Sequence, residues 1–255
     1  MKLSSLEKSL KILEYVIASK GGVKLMNIAK ALSMTSPAAY KHVMTLVDCG
    51  YLYKEESSSK YFPSYKIVDM SSMILRNNEI HEVEHPLLTK LMEETRMTCH
   101  FVIRKEYYGI YIDKIEGVDT IPTMSRIGMK RDLYCTAFGK AILSNFSKNE
   151  LGEYFNKIEL KPITKNTIIY KEELLKELEN IKKRNYALDD EENELGIKCV
   201  GSAVFDYTNK VVGALSVIIP LKWFNQENID RTAEKVIKIA EEISSRLGKM
   251  GGNEK

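Results

Sequence analysis

The sequence predicts an α+β protein in which a small N-terminal winged helix-turn-helix precedes a larger domain of antiparallel strands and packed helices. A length of 255 residues exceeds what one hydrophobic core usually serves, so two domains are expected. The first quarter of the chain holds short helical patterns that are followed by a polar-tipped hairpin pattern. The remainder mixes helical patterns with short apolar runs typical of strands, which favours an α+β fold.

The first helix is predicted to begin at Ser4, because serine is a good N-cap and Glu7 completes a capping box. Apolar residues then recur at helical spacing, namely Leu6, Leu10, Leu13 and Ile17. Gly21 and Gly22 tolerate positive φ and are expected to end this helix.

Two further helices are predicted around a tight turn. The second runs roughly from Leu25 to Leu32, and residues 33–35 form the turn. The third helix begins with Ser36 as N-cap and Pro37 at its first position, which are both good start signals. It continues to Val47, and Gly50 closes it.

A hairpin pattern follows the third helix. Residues 51–54 and 60–62 are predicted strands, and the polar residues 55–59 between them form the turn. Short helix, turn, longer helix and hairpin together predict a winged helix-turn-helix over residues 1–63.

The basic charge is concentrated in the same region. Residues 1–75 contain ten lysines and six acidic residues, whereas residues 76–255 carry 28 basic and 29 acidic side chains. A local basic excess suits a surface that faces phosphates. A solvated surface without a nucleic-acid partner would explain the same modest charge.

The third helix is the candidate for reading DNA, because a helix fits the major groove and its N-terminal side chains reach base edges. Val43, Leu46 and Val47 are expected to face the core. The predicted DNA-binding residues are Thr35, Ser36, Ala39, Tyr40, Lys41 and, on the returning strand, Lys60. The alternative is a helical bundle that packs without binding nucleic acid.

Residues 64–79 are predicted to form a linker helix with a narrow apolar face that includes Ile67 and Ile74. Such a helix could pair with its copy in a dimer or rest on either domain. The larger domain is assigned to residues 80–248, and residues 249–255 are a predicted flexible tail. The expected elements of the larger domain are a helix after Pro86, strands at 99–103 and 107–112, helices at 135–146, 148–157 and 171–184, a hairpin from 199–205 and 211–219, and a final helix at 226–247.

Three stretches of the chain stand out as a set: YALDDEENELGIKCVGSAVFD at 186–206, continued by GALSV at 213–217, then RDLYCTAFGKA at 131–141 and SLEKSLKIL at 5–13. Together they resemble the IclR family of bacterial regulators. The resemblance covers nearly the whole chain in the right order. It implies a winged helix-turn-helix, a linker helix and a GAF-like effector domain, with dimers or tetramers on palindromic double-stranded operators.

The resemblance also implies a pocket for a small organic metabolite, such as an organic acid or an aromatic or sugar-derived compound. The matching pocket positions are Thr123, Ala137, Phe138, Asp189, Cys199 and Ser216. Relatives usually carry small hydroxyl residues and arginine where this chain has Pro37, Ala38 and Lys41, which leaves the operator sequence open. Ile218 replaces a second hydroxyl, so the pocket is expected to be more apolar than in small-acid sensors.

His81 to His85 match the H-E-x-x-H pattern of zinc peptidases, in which both histidines share one helical face. Pro86 argues against it, because the residue before proline is disfavoured in helical geometry and Pro86 suits the start of the next helix. The motif nevertheless defines the alternative function, which is a metal-dependent hydrolase, or a small-molecule-binding protein whose N-terminal domain mediates assembly.

Other candidate chemistry is weak. Gly139-Lys140 lacks the remaining residues of a phosphate-binding loop, and the four cysteines have no metal-knuckle spacing, which suits reduced thiols in the cytosol. The acidic run from Asp189 to Glu194 could bind a cation, but a solvated turn is expected for most of it, with Asp189 at a pocket edge. No catalytic grouping, metal site or cofactor is predicted.

The sequence therefore predicts a cytoplasmic, ligand-responsive DNA-binding regulator, with repression as the expected mode. No run approaches membrane-spanning length, and the first nine residues lack the apolar core of a signal peptide. Whether the effector favours or opposes DNA binding depends on its differential affinity for two states, which a sequence does not contain.

Overall fold

The computed structural model describes residues 4–76, 79–118 and 123–249. The chain divides into two compact units, residues 1–77 and 78–255. Within the described residues, no helix is both long and apolar enough to cross a membrane.

The first unit contains the predicted helix-turn-helix and hairpin. Its elements are α1 (Ser5–Ala18), β1 (Val23–Lys24), α2 (Leu25–Ala31), α3 (Ser36–Asp48), β2 (Leu52–Glu55), β3 (Lys60–Pro63) and α4 (Lys66–Arg76). The α1 capping box forms as predicted, with the Glu7 N–H donating to Ser4 Oγ and the Ser4 N–H donating to Glu7 Oε2. The winged helix-turn-helix is confirmed. The short strand β1, which pairs with β3, was not predicted.

The core of this unit lies between its three main helices and the wing. Its members are fully or almost fully buried and include Ile12, Val16, Ile28, Val43, Leu46, Leu52 and Tyr61. The buried residues of α1 are therefore Ile12 and Val16, whereas the side chains of Leu6, Leu10 and Ile17 are 69%, 48% and 48% exposed. The apolar stripe noted in the sequence lies largely on the surface of this unit.

Helix α4 occupies most of the predicted linker and buries none of its residues within the described structure. Its apolar side chains, including Val68, Met73 and Ile74, are exposed. Residues 77 and 78, at the predicted end of the linker helix, lie outside the described residues.

The second unit is built on a six-stranded antiparallel sheet with the order β6-β5-β4-β9-β8-β7. Its elements are α5 (Glu79–Thr95), β4 (Cys99–Lys105), β5 (Tyr108–Ile115), β6 (Lys130–Asp132), α6 (Ala137–Leu143), α7 (Lys148–Lys157), α8 (Lys171–Arg184), β7 (Ala187–Asp190), β8 (Lys198–Phe205), β9 (Val211–Ile219), a 3-10 turn (Leu221–Trp223) and α9 (Gln226–Arg246). The α+β fold is confirmed, and β6 and β7 are additions to the sequence-based prediction.

Helices cover both faces of this sheet. Helix α6 packs on β8, β9 and β7, and its approach is close because a Cβ on Gly201 would lie 2.9 Å from Ala137 C and Phe138 N. Helices α5 and α9 pack against each other and against the strands β4, β5, β8 and β9. Since side chains alternate along a strand, His100 and Phe101 on β4 point to opposite faces.

The prediction that Pro86 starts a helix is wrong. Helix α5 begins at Glu79 and continues through Pro86 to Thr95. Proline lacks an N–H, so the Glu82 carbonyl loses its usual helical partner, but tertiary packing holds the helix together. Leu87, Leu88 and Leu91 are buried against the unit, which offsets the lost hydrogen bond.

Two further expectations need correction. The acidic run is not mainly a solvated turn, because β7 includes Asp189 and Asp190, and the Glu192 side chain is buried. The predicted flexible tail does not begin at Lys249, whose N–H donates to the Ser244 carbonyl at 2.9 Å. Residues 250–255 of that tail lie outside the described residues.

Candidate functional site

The exposed surface of α3 is the first candidate site. Thr35, Ser36, Tyr40 and Lys41 are all exposed, and Tyr40 is 49% exposed. Thr35 occupies the N-cap position without using its side chain as a cap, so its hydroxyl makes no capping hydrogen bond. These side chains form one polar surface at the N-terminal half of the helix, where base and phosphate contacts are expected.

Ala39 does not belong to this surface, and the prediction that it faces the groove is wrong. Its exposed fraction is 0%, and it shares the buried face of α3 with Val43 and Leu46. The spacing of four and then three residues places all three on the same side of the helix. Thr45, which is exposed and was not predicted, lies one turn beyond Lys41 and donates a hydrogen bond to the Lys41 carbonyl.

Lys60 lies at the start of β3 in the wing. Its Nζ donates to the Gly21 carbonyl at 3.0 Å, and the residue is half-buried. The cation is therefore held beside the loop after α1, which limits its reach but keeps positive charge next to the wing.

A cavity beside the sheet of the second unit is the second candidate site. All six pocket residues suggested by the sequence line it: Thr123, Ala137, Phe138, Asp189, Cys199 and Ser216. Its empty volume is about 430 Å³, including the part open to solvent.

The register of the sheet explains why these residues meet. Directly paired residues point to the same face, and His100 pairs with Ser216 while Asp189 pairs with Cys199. Cys199 also pairs with Ile218, which lies two residues beyond Ser216 on the same face. Four strands therefore contribute adjacent side chains, and the start of α6 covers them with Ala137 and Phe138.

His100 is a cavity residue that the sequence analysis missed. Its Nε2 shares a hydrogen bond with Ser125 Oγ at 2.8 Å, and Ser125 Oγ shares another with Thr123 Oγ1 at 2.8 Å. Burial, with the Lys114 charge adding to it, lowers the pKa of His100 to about 3, so the ring is neutral at physiological pH. Alternation along the strand shows that His100 and Val102 share one face of the sheet. The pairing of His100 with Ser216, which the sequence does not reveal, places the His100 side chain in the cavity.

The remaining polar groups define the electrostatics of the cavity. Burial raises the pKa of Asp189 to about 7, although the N–H groups of Glu192 and Asn193 that donate to its Oδ1 oppose the rise. Burial also raises the pKa of the Cys199 thiol, which stays protonated. Arg131 is the cationic side chain that lines the cavity within the described residues. An anionic ligand would therefore find one fixed positive charge here.

A buried ion pair supports the wall of this cavity. Lys140 Nζ on α6 contacts Glu192 Oε1, and the two side chains are only 2% and 7% exposed. The Glu192 carbonyl accepts hydrogen bonds from the hydroxyls of Thr164 and Thr167. The loop that carries Asn193 and Glu194 into the cavity is thereby attached to α6 and to residues 164–167.

A third group of polar residues lies where α5 meets β5. His85 Nδ1 is 2.6 Å from Asp113 Oδ2, and His81 Nδ1 is 2.8 Å from Glu84 Oε1. Burial raises the pKa of Glu84 to about 9, and the nearby Asp113 adds to the rise. Because Pro86 lies inside α5, the proline argument against a shared histidine face is wrong. Glu82, the base that a peptidase of this pattern would need, is exposed and outside the cluster.

Comparison with known families gives two matches that together span most of the chain. A family model described as the C-terminal part of the bacterial transcriptional regulator IclR matches residues 72–245, and the IclR helix-turn-helix domain matches residues 5–56. The chain is 25% identical to the acetate operon repressor of Salmonella typhimurium over 97% of this chain and 91% of that protein.

Solved structures show the same similarity. The crystal structure of the Thermotoga maritima IclR matches with a TM-score of 0.87 and 39% identity, covering 96% of this chain and 98% of that one. An IclR homologue from Microbacterium hydrocarbonoxydans, solved in complex with 4-hydroxybenzoate, matches with a TM-score of 0.81 and 17% identity over 96% and 99% of the two chains. The latter likeness is one of fold.

Proposed function

Because the chain belongs to the IclR family of bacterial transcriptional regulators, we propose that it represses transcription by binding a palindromic operator as a dimer, under the control of a small organic effector. Members of this family regulate transcription and are not enzymes. The observation that carries the effector part of the proposal is one cavity lined by all six residues that the sequence had suggested. We place the regulator in the cytoplasm, where the bacterial chromosome is.

DNA recognition is assigned to the exposed surface of α3 and to the wing. Ser36, Tyr40 and Lys41 would face base edges in the major groove, because they are exposed at the N-terminal half of the helix. Thr35 would contact phosphate through its hydroxyl, and Lys60 would supply positive charge at the wing. The buried Ala39 is removed from this set.

Dimerisation is assigned to the exposed apolar side chains of the first unit. Leu6, Leu10 and Ile17 recur along α1 at helical spacing, and α4 exposes Val68 and Ile74. Exposed apolar side chains in such numbers are typical of an interface, because burying each one gains about 25 cal/mol per Å². A two-fold symmetric dimer would present two α3 helices to the two halves of a palindrome.

The effector is proposed to be a small organic acid with an apolar body. Arg131 would pair with its acidic group, while Tyr111, Phe138 and Ile218 would contact its carbon skeleton. The hydroxyls of Thr123 and Ser216 would set its orientation. The 4-hydroxybenzoate bound by the homologue combines an acidic group with an apolar ring in the same way.

A salt titration tests DNA binding. The full-length protein selects duplexes from a random pool, and affinity for the selected duplex is then measured against salt concentration. The slope of log affinity against log salt should be strongly negative, and Lys41→Ala should weaken binding of the selected duplex because it removes a cation from the DNA-facing surface of α3. Lys238→Ala, which removes an exposed lysine from α9, is the matched control and should change neither quantity. Affinity that ignores both salt and Lys41 would contradict the proposal.

Sedimentation equilibrium tests the dimer. Leu10→Glu should shift the protein from dimer to monomer and weaken operator binding, because a charge would be buried in the interface. Val118→Glu, at a position 70% exposed in the second unit, is the control and should leave the dimer intact. A wild-type protein that sediments as a monomer at micromolar concentration would refute this assignment.

A thermal-shift screen of small organic acids against the full-length protein tests the cavity. Ligands should raise the melting temperature of the wild type, and the shift should grow with the logarithm of ligand concentration once that concentration exceeds Kd. Arg131→Gln and Ser216→Ala should abolish or weaken the shift without changing ligand-free DNA binding. An unchanged ligand shift in both variants would remove the cavity from the proposal while leaving the DNA-binding part standing.

A further inference from the structure

Helix α5 carries two histidines on one face, beside a buried carboxylate of the sheet. His81 and His85 are four residues apart, and their ring centroids are 5.3 Å apart. Asp113 approaches from β5, where it pairs with Phe101 on the adjacent strand. One donor atom from each of His81, His85 and Asp113 lies within 4.8 Å of the other two.

Burial and hydrogen bonding fix the carboxylates of this cluster. Asp113 is 4% exposed, and its Oδ1 accepts a hydrogen bond from the Lys114 N–H at 2.8 Å. Glu84 is completely buried, and its Oε2 is without a hydrogen-bond partner among the described residues. A buried polar oxygen without a partner is costly, so a cation nearby would remove a penalty that the ligand-free protein carries.

We propose that His81, His85 and Asp113, backed by Glu84, bind a divalent first-row transition-metal ion of the zinc type. Imidazole and carboxylate donors suit zinc and its neighbours in the first transition row, whereas calcium and magnesium prefer a set of oxygen donors alone. Three protein ligands leave a coordination position for water or for Glu84.

The geometry requires only a small closure. Donor atoms in a tetrahedral zinc site are about 3.3 Å apart, since zinc–nitrogen bonds are about 2.0 Å long. The donor atoms of His81, His85 and Asp113 lie within 4.8 Å of one another, so each pair has to approach by about 1.5 Å at most to bind zinc. The His85 side chain is 52% exposed, and its exposure gives the ion a path from solvent.

This site is separate from the effector cavity. His100 lines the cavity, and its neighbour Phe101 points to the opposite face of the sheet, where its strand partner Asp113 also lies. The proposal concerns binding, and it does not require the hydrolytic chemistry of a peptidase. It also does not depend on the effector or on operator recognition.

Zinc binding to the full-length, chelator-stripped protein tests the inference. Competition with a chromophoric chelator should give about one zinc ion per chain, and zinc should raise the melting temperature. His81→Asn and His85→Asn should each weaken zinc binding by at least about 100-fold. Mutation of a residue that only hydrogen-bonds a metal ligand already lowers metal affinity about 10–100-fold, so loss of a ligand should cost at least as much. His42→Asn, in α3 of the first unit, is the matched control and should bind zinc like the wild type.

Cobalt substitution identifies the donors. The cobalt form should show the visible absorption of a four-coordinate nitrogen and oxygen site, without a thiolate charge-transfer band in the near ultraviolet. A thiolate band would overturn the proposal, because it would place the ion at a cysteine instead. Zinc affinity unchanged in both His81→Asn and His85→Asn would also overturn it. Since His85 is half exposed, its variant should fold, and an unchanged metal-free melting temperature confirms that the loss is one of binding.

Discussion

Lys140→Met should strongly destabilise the second unit. It removes the cation from a pair in which both side chains are almost completely buried, and leaves Glu192 without compensation. Removing one partner of a buried ion pair costs about 3–5 kcal/mol. For a unit of this size each kcal/mol corresponds to about 2–4 °C, so the melting temperature should fall by about 6–20 °C.

The pH dependence of this loss has a defined sign. Burial already raises the pKa of Glu192, and the Lys140 charge opposes that rise. Without Lys140 the folded-state pKa is raised further above the unfolded value, so the protonated carboxyl is the form that stabilises the folded state. That stabilisation is present at low pH and is lost as pH rises through the folded-state pKa. The penalty of Lys140→Met should therefore be larger at pH 8 than at pH 5.

Urea denaturation followed by tryptophan fluorescence measures the effect. Trp223 is the one tryptophan of the chain and lies in the second unit, so its signal reports that unit alone. The double variant Lys140→Met/Glu192→Leu should recover most of the loss, because an apolar pair can replace a buried ion pair. Lys198→Met, which disrupts a pair with the largely exposed Asp190, should cost less than about 1 kcal/mol. A cost for Lys140→Met as small as that of Lys198→Met would refute the reasoning.

Three further predictions use the same fluorescence assay. Gly201→Ala should cost about 1–3 kcal/mol because its Cβ would meet backbone atoms of α6 at 2.9 Å, whereas Gly152→Ala, with open space around it, should be neutral or stabilising. Burial raises the pKa of Asp189 to about 7, so its protonated form stabilises the unit at low pH. The free energy of unfolding should fall by a few kcal/mol as pH rises from about 4 to above 7, because each unit of pKa shift corresponds to about 1.4 kcal/mol. Asp189→Asn should flatten this pH dependence. Ser147→Ala should cost about 1 kcal/mol because it removes the α7 capping box, and an unchanged urea midpoint would contradict that role.

Local physics allowed the helices to be predicted from sequence. Helices α7 and α8 have the predicted bounds, and α1 begins with the predicted capping box, because capping groups and helical spacing lie within a few residues of each other. The same locality caused the error at Pro86. The local cost of a proline inside α5 is outweighed by the burial of leucines in the following turns, which depends on distant strands.

The face that a residue presents required the tertiary structure. Helical spacing puts Ala39 on the same side of α3 as the core residues Val43 and Leu46, but a small apolar side chain suits either surface, and its complete burial is a property of the tertiary structure. In α1, the sequence offers two apolar faces, and the choice of Ile12 and Val16 over the Leu6 stripe depends on where the other helices lie.

By itself the sequence determined the order of the helices, the α+β class and, through its resemblance to a family, six of the residues that line the cavity. The tertiary structure decided which residues the pairing of strands brings together. His100 enters the cavity because it pairs with Ser216, and Asp113 meets His85 on the opposite face of the sheet. Strand pairing joins residues about a hundred positions apart, and its energy depends on both partners at once. No local pattern around His100 or Asp113 contains that information.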